Sequence, residues 1–368
     1  MEENIYRVRH ADALNTPALL YYKDLIVQNT RAAIDLAGSA DRLWPHIKTH
    51  KMRDMIQLQQ SMGIRRFKCA TIAELVMVAN CQPEHILMAY PLVGPNIGRF
   101  LRAVRMFPKS RFYAAGDDPA QLERLSNASR DAGVTVPVLL DVNMGMNRTG
   151  VELDDVERIY RQCAALPGIQ MEGLHCYDGH CNDPDPAKRQ EKALSSIQTV
   201  REIRARLLRE GLPCKLLVMG GTPSFPIHAA YDDVFLSPGT IFVGDFRYGS
   251  DLTDLPMVPA AAVMTRVISH PAKGLFTLDV GSKGISTDMA ERGRLLGIEG
   301  AESLLQSEEH WVFRLPEGKP LPAIGEIFFV IPMHVCTTTA LYDSVSVVEG
   351  GEVAGCWDVS ARGRAVTE

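Results

Sequence analysis

From about residue 40 to 245, short apolar runs rich in β-branched and aromatic residues alternate with longer stretches of helical periodicity. The strand candidates are RLWPHIKT (42–49), RRFKCAT (65–71), HILMAY (85–90), RFYAAG (111–116), VPVLLDV (136–142), GIQMEGLHCY (168–177), KLLVMGG (215–221) and VFLSPGT (234–240). Between them lie helix-like segments such as IAELVMVANC (72–81), PAQLERLSNASRDAG (119–133) and DPAKRQEKALSSIQTVREIRARLLREG (185–211). Strands that alternate with helices predict parallel βαβ units, and eight of them predict an α/β fold of the closed (β/α)8 TIM-barrel type. TPALLYYKDLIVQNTRAAIDLAG (16–38) reads as an entry strand and helix leading into the first barrel strand.

After about residue 250 the helical intervals vanish. AAAVMTRVISH, LFTLDVG, HWVFRLP, EIFFVIPMHVC and YDSVSVVEGGEVAGCWDV read as consecutive strands with Gly and Pro turns. The expected organisation is therefore a barrel over 16–248 and a C-terminal β-sheet or β-barrel domain over 249–368, completed by residues 1–15.

Composition changes this picture little. The 368 residues are 46% hydrophobic and 23% charged, with a net charge of −5, which excludes a dedicated polyanion binder; no nucleic-acid partner is expected. The N-terminus has no apolar signal-peptide core, and IFFVIPMHV (327–335) is only strand-length, so no membrane span is expected. Eight cysteines without CxxC pairs or framework spacing fit reduced thiols and a cytoplasmic location.

The polar oddities gather where the predicted barrel strands end, the face on which barrel enzymes keep their active sites. PHIKTHK ends the first strand with Lys48. An amine there is either a surface lysine with its head in water or, partly desolvated, a Schiff-base nucleophile or proton carrier; the residues alone leave both open. GGTPSF (220–225) follows the seventh strand and SPGT (237–240) ends the eighth. Glycine turns with Thr222 and Ser224 hydroxyls suit a phosphate cradle after strands seven and eight, although each turn alone is ordinary. In DVNMGMNRTG (141–150), Arg148 is the only full charge between Asp141 and Glu152. It is either a solvated loop residue or a permanent partner for a phenolate or carboxylate. HCYDGHCND (175–183) packs His175, Tyr177, Asp178, His180 and Asp183 into nine residues, unremarkable in a loop but suited to an active-site wall at a barrel mouth. In PMHVC the pair His334 and Cys336, two apart on a predicted strand, would project side by side. Imidazole plus thiolate suits zinc, and two local ligands suit an open catalytic ion; plain strand packing is the alternative.

PHIKTHK, NRTG, DVGSKGISTD (279–288) and PMHVC, with the strand-seven glycines, resemble the fold-type III pyridoxal-phosphate enzymes. The resemblance runs from NTPALLYYKDLIVQN (15–29) to the C-terminal strands and points to the group of D-threonine aldolases, D-serine dehydratases and 3-hydroxyaspartate lyases. It implies that Lys48 forms the imine with pyridoxal 5′-phosphate, that Arg148 meets the phenolic oxygen and that Tyr177 lines the ring. Gly220, Gly221, Thr222, Gly239 and Thr240 would hold the phosphate. His334 and Cys336 would bind a divalent ion, Zn2+ or Mn2+, with Asp279 nearby, in a head-to-tail homodimer. The chain departs from its relatives in having Trp44 where Arg is common, Ile241 where an aromatic is frequent, and His-x-Cys where the aldolases carry His-x-Asp. Asp183 stands where those aldolases place a candidate base, and His180 comes three residues earlier.

The resemblance implies a lyase acting on D-3-hydroxy amino acids. In the aldolase-like route a base such as His180 takes the proton of the metal-held β-hydroxyl and Cα–Cβ breaks, giving glycine and an aldehyde. In the dehydratase-like route Lys48 removes the α-proton and hydroxide leaves, giving a 2-oxo acid and ammonia. The aldolase route is the leading expectation, from the layout around DVGSKGISTD. A racemase would need a second base but no metal, and a non-catalytic cofactor carrier would lack the β domain.

Overall fold

The computed structural model describes residues 3–364. Two compact units are distinguished within it. A barrel unit comprises Ala33–Lys48 and Met55–Gly239; a β unit comprises the chain up to Ala32, Thr49–Asp54 and Thr240–Arg362.

The first strand, β1 (Ala18–Tyr22), is followed directly by helix α1 (Lys23–Ala37). The sequence assigns 16–38 to the barrel's entrance, but β1 lies in the sheet of the β unit, antiparallel to one neighbour and parallel to another. Its run Leu19–Tyr22 is buried throughout, so both faces of this strand are covered. A continuous apolar run does not reveal which sheet it joins.

The barrel unit contains β2 (Arg66–Cys69), β3 (His85–Met88), β4 (Arg111–Gly116), β5 (Val136–Asp141), β6 (Ile169–Cys176), β7 (Leu216–Met219) and β8 (Phe235–Leu236). They are parallel and ordered as in the chain. The sequence counts eight strands, with the first at 42–49. Residues 43–46 do close the sheet, through parallel bridges Leu43–Leu236 and His46–Lys68 and the bonds Trp44 N–H to Leu236 O (2.7 Å), His46 N–H to Pro238 O (2.9 Å) and Lys68 N–H to Pro45 O (2.8 Å). They make bridges rather than a full ladder because Pro45 has no N–H to donate and the chain turns into a 3-10 helix over Ile47–Thr49. Inside the barrel Trp44 packs with Leu87, Tyr113, Ala115, Leu139 and Val218, so the interior is a filled core. The connecting helices carry local start signals: Thr71 caps the helix over Ile72–Asn80, and Asp118, followed by Pro119, caps that over Pro119–Asp131.

The β unit contains β1 and eight further strands: β9 (Ala261–Ser269), β10 (Leu275–Leu278), β11 (Gly293–Leu295), β12 (Glu302–Gln306), β13 (Trp311–Arg314), β14 (Ile327–Pro332), β15 (Ser344–Glu349) and β16 (Glu352–Asp358). β9 is central and pairs with β1, β10 and β14. β15 and β16 form a hairpin turned at Gly350 and Gly351, both at positive φ, the backbone that tight two-residue turns require. Tyr6 is buried here, its ring edge-on to Tyr22 and its hydroxyl donating to Pro259 O at 2.8 Å. No helix among the described residues is long and apolar enough to cross a membrane.

Candidate active site

In the barrel unit three basic side chains converge on one phenol ring. Tyr177 follows β6. The Lys48 Nζ lies 5.8 Å from its ring centroid, the Lys68 Nζ 5.4 Å and the Arg148 guanidinium carbon 4.9 Å. Lys48 is half-buried, so it is not the freely solvated lysine that the sequence alone allows, and Lys68 is 1% exposed. The carboxylates within electrostatic reach are engaged elsewhere. Asp141 binds His175 Nδ1 (2.7 Å) and Thr149 Oγ1 (2.8 Å); Asp178 binds Ser224 Oγ (2.6 Å) and His228 Nε2 (2.6 Å). Positive charge is thus in local excess around an aromatic face.

Lys68 was not among the sequence candidates. Its Nζ donates to Ser237 Oγ at 2.7 Å and stands 3.5 Å from His175 Nε2. Burial pushes the His175 imidazole down in spite of the Asp141 carboxylate. The ring is therefore neutral, donates Nδ1–H to the carboxylate and offers Nε2 as an acceptor. Burial alone would raise Asp141, but the His175 and Thr149 hydrogen bonds and the Lys68 charge hold it below its ordinary value. The one signal for Lys68 in the sequence was a full charge at the centre of RRFKCAT, flanked by apolar residues.

The strand-seven loop differs from expectation in detail. Gly220 has φ +83° and leads into Gly221, where a Cβ would come within 3.1 Å of Tyr177 Cε2 and crowd the ring. The Gly221 N–H, however, is donated to Ser224 Oγ (3.1 Å), and the Ser224 hydroxyl is donated to Asp178. Ser224 therefore pins the loop to the segment after Tyr177 and is not a donor to an anion. Thr222 is buried beside it. The Ser237 hydroxyl donates to Gly220 O (3.0 Å), joining the turns after β7 and β8. Gly239 is half-buried at the end of that second turn; Thr240 opens a 3-10 helix in the β unit, with its Oγ1 3.8 Å from Cys336 Sγ. His180 is half-buried, its Nε2 3.1 Å from where a Cβ on Gly145 would stand, so it packs on the loop that carries Arg148. Asp183 accepts from the Asp185 N–H (3.1 Å) and pairs with Lys192 (3.7 Å), at the start of the helix over Pro186–Arg209.

In the β unit His334 and Cys336 meet, though not as neighbours on a strand. β14 ends at Pro332; His334 directly precedes a one-turn helix, Val335–Thr339, that contains Cys336. Thr337 and Thr338 hydroxyls fold back to His334 O, the local side-chain bonding that favours a cap over an extended strand. Buried Asp245 accepts the Val335 N–H (3.3 Å) and caps the helix over Phe246–Asp251. The hydrogen bond with Cys336 raises the His334 imidazole to about 9, against the opposing effect of burial and with support from Asp288. Burial would raise the Cys336 thiol, but the His334 and Thr49 contacts bring it below its ordinary value. His334 Nδ1 lies 2.6 Å from Asp288 Oδ2, so the hydrogen bond with Cys336 falls to Nε2; an ion would take that nitrogen in place of the proton, the carboxylate–histidine arrangement common at metal sites. Asp279, expected nearby, instead accepts from Thr16, Thr265 and the Arg266 N–H; Asp288, at the other end of the same stretch, is the acid beside His334. Among the described residues no group of three or more His, Cys, Asp or Glu side chains is arranged to hold a metal ion.

The alanine racemase N-terminal domain matches residues 23–246, and a putative serine dehydratase domain matches 260–348. The chain belongs to the alanine racemase N-terminal domain family. This is the fold-type III group of pyridoxal-phosphate enzymes. The chain is 28% identical to a D-threonine aldolase from an Arthrobacter species over 362 residues, 95% of this chain and 93% of the relative. The crystal structure of D-threonine aldolase from Filomicrobium marinum superposes with a TM-score of 0.88 at 28% identity, covering 96% of this chain and 97% of that one. The fold is also that of D-threo-3-hydroxyaspartate dehydratase from Delftia sp. HT23, with a TM-score of 0.81 at 21% identity over 94% of this chain and 98% of that one. Within this family the Tyr177 cluster fits the cofactor: an amine, an aromatic face, a glycine turn where a Cβ would crowd the ring, and cations in excess for a phosphate and a phenolate.

Proposed function

We propose that the protein is a pyridoxal-phosphate- and divalent-metal-dependent lyase that cleaves D-3-hydroxy amino acids to glycine and an aldehyde. The observation that carries this reading is the convergence of Lys48, Lys68 and Arg148 on the Tyr177 ring; similarity to D-threonine aldolases along almost the whole chain supports the choice of reaction.

When bound, the cofactor supplies an electron sink for charge left at the substrate Cα. Lys48 is the amine that would hold its aldehyde carbon. Arg148 would face the phenolic oxygen with its guanidinium fork. Gly220, Gly221, Thr222, Gly239 and Thr240 would receive the phosphate, with Tyr177 as the wall of the ring. His334 and Cys336, from this chain or from a second copy in a homodimer, would hold a zinc or manganese ion, which supplies a Lewis acid for the β-hydroxyl. Asp288 fixes the His334 tautomer for that task. His180 would be the base that takes the hydroxyl proton.

A second reading, elimination to a 2-oxo acid and ammonia, is favoured by one feature: Cys336, a soft thiolate ligand brought below its ordinary value, where the aldolases carry Asp. Incubation of the protein and manganese or zinc with D-threonine, D-serine and both 3-hydroxyaspartate diastereomers separates the two. Glycine plus acetaldehyde from D-threonine is expected; 2-oxo acid plus ammonia alone would transfer the assignment to the dehydratase reading.

A further inference from the structure

The cluster at Tyr177 holds one more amine than an imine link requires, and that amine is the more deeply buried of the two. Lys68 sits in β2, its side chain 1% exposed, and reaches Ser237 after β8 and His175 near the end of β6. Both neighbours are acceptors toward it: the Ser237 hydroxyl gives its proton to Gly220 O, and His175 gives its Nδ1–H to Asp141. Two hydrogens of the amine are thereby directed, and a third exists only when the amine is protonated.

Neither neighbour brings a charge to balance that third hydrogen. Ser237 and His175 are neutral. Asp141 and Asp178 favour the ammonium through space, less than burial and the Lys48 charge disfavour it, while their hydrogen bonds go to His175 and Thr149 and to Ser224 and His228. The other charged groups around Lys68 are Lys48 and Arg148, both of like sign. A buried ammonium in such company is poorly compensated. In keeping with this geometry, burial and then the Lys48 charge lower the Lys68 amine to about 7.

We propose that Lys68 is a further cofactor-binding residue, a buried amine that takes up a proton as the anionic cofactor enters and supplies a charge for its phosphate or phenolate. The proton comes from the buffer, R–NH2 becoming R–NH3+, and no bond of the cofactor changes. The inference rests on the cofactor reading of the Tyr177 cluster. A purely structural Lys68, tying Ser237 to His175, would make the same hydrogen bonds with no change of protonation on binding.

The test is calorimetric titration of the cofactor-free protein with pyridoxine 5′-phosphate at pH 8, in buffers of different ionisation enthalpy. This compound keeps the ring, phenol and phosphate but has no aldehyde to react with Lys48. Wild type is expected to take up close to one proton more per bound ligand than Lys68→Met or Lys68→Gln, about one at most from a single amine, and the variants to bind roughly tenfold more weakly. The wild-type excess should shrink by pH 6, where the amine is already protonated. Lys68→Gln keeps a polar head toward Ser237 and carries the comparison if the Met variant does not fold. Equal proton uptake in wild type and variant, with binding intact, would overturn the role of Lys68 and leave the cofactor site standing. Failure of wild type to bind either pyridoxine phosphate or pyridoxal phosphate would overturn both.

Discussion

At the scale of single residues, Arg148 and Lys68 show what a basic group does beside an aromatic ring. Arg148 is exposed, yet its guanidinium stands 4.9 Å from the Tyr177 centroid; an exposed contact of that kind contributes only about 0.5–1 kcal/mol to stability. Its value is expected in binding instead. Arg148→Ala should weaken pyridoxal phosphate roughly tenfold, about 1.4 kcal/mol, with little change in melting temperature; unchanged affinity in a fluorescence titration would make it a loop residue. Lys68 acts in the opposite sense on the cofactor-free fold. Its folded-state pKa of about 7 lies below the 10.5 of an unperturbed lysine, so between those values the unfolded chain binds more protons and stability rises with pH. Lys68→Met should therefore be more stable than wild type below pH 7, by on the order of a few kcal/mol, and this advantage should shrink as pH rises toward 10. Denaturation midpoints that differ by the same amount at pH 6 and pH 9.5 would show that the amine does not change protonation in the fold. Cys336→Ala should lose bound zinc and lyase activity together; full activity in a metal-free variant would refute the metal-dependent form of the proposal.

At the scale of elements, the site is held by turns whose residues serve the backbone as much as any ligand. Ser224 binds both the Gly221 N–H and Asp178, and Asp178 in turn holds His228, with both side chains fully buried. Asp178→Ala would leave two buried polar partners unsatisfied, a cost of about 1–3 kcal/mol for each. The melting temperature should fall several degrees, and cofactor affinity should fall with it as the strand-seven turn loosens; a variant with wild-type stability would show that the pin is unnecessary. Much of this level was legible beforehand. The alternation of apolar runs and helical segments placed β2 to β8, and His334 and Cys336 do meet. The geometry by which they meet was not legible, because the chain after His334 turns into a one-turn helix, with Thr337 and Thr338 hydroxyls bonded back to His334 O, which two-residue strand periodicity cannot foresee. β1 was misplaced for a related reason: Ala18–Tyr22 is apolar at every position, which signals burial on both faces but carries no information about partners. Lys68 was passed over because a charge in a strand reads as an interruption, and only the closed ring of strands shows that it points at the site.

At the scale of the whole molecule, the chain carries the family's barrel and a serine-dehydratase-type β unit, and the chemistry proposed needs groups from each. If a second copy completes the reaction, activity should depend on protein concentration below the dimer dissociation range; specific activity constant down to a monomeric population, checked by light scattering, would assign all the groups to one chain. The central claim is that Lys48 is the amine that holds the cofactor. Borohydride reduction of the pyridoxal-phosphate-loaded protein, followed by peptide mass mapping, tests it directly. The account predicts one phosphopyridoxyl group per chain, on Lys48, and none in the Lys48→Ala variant. A label on Lys68 or on a surface lysine with Lys48 unmodified would contradict it.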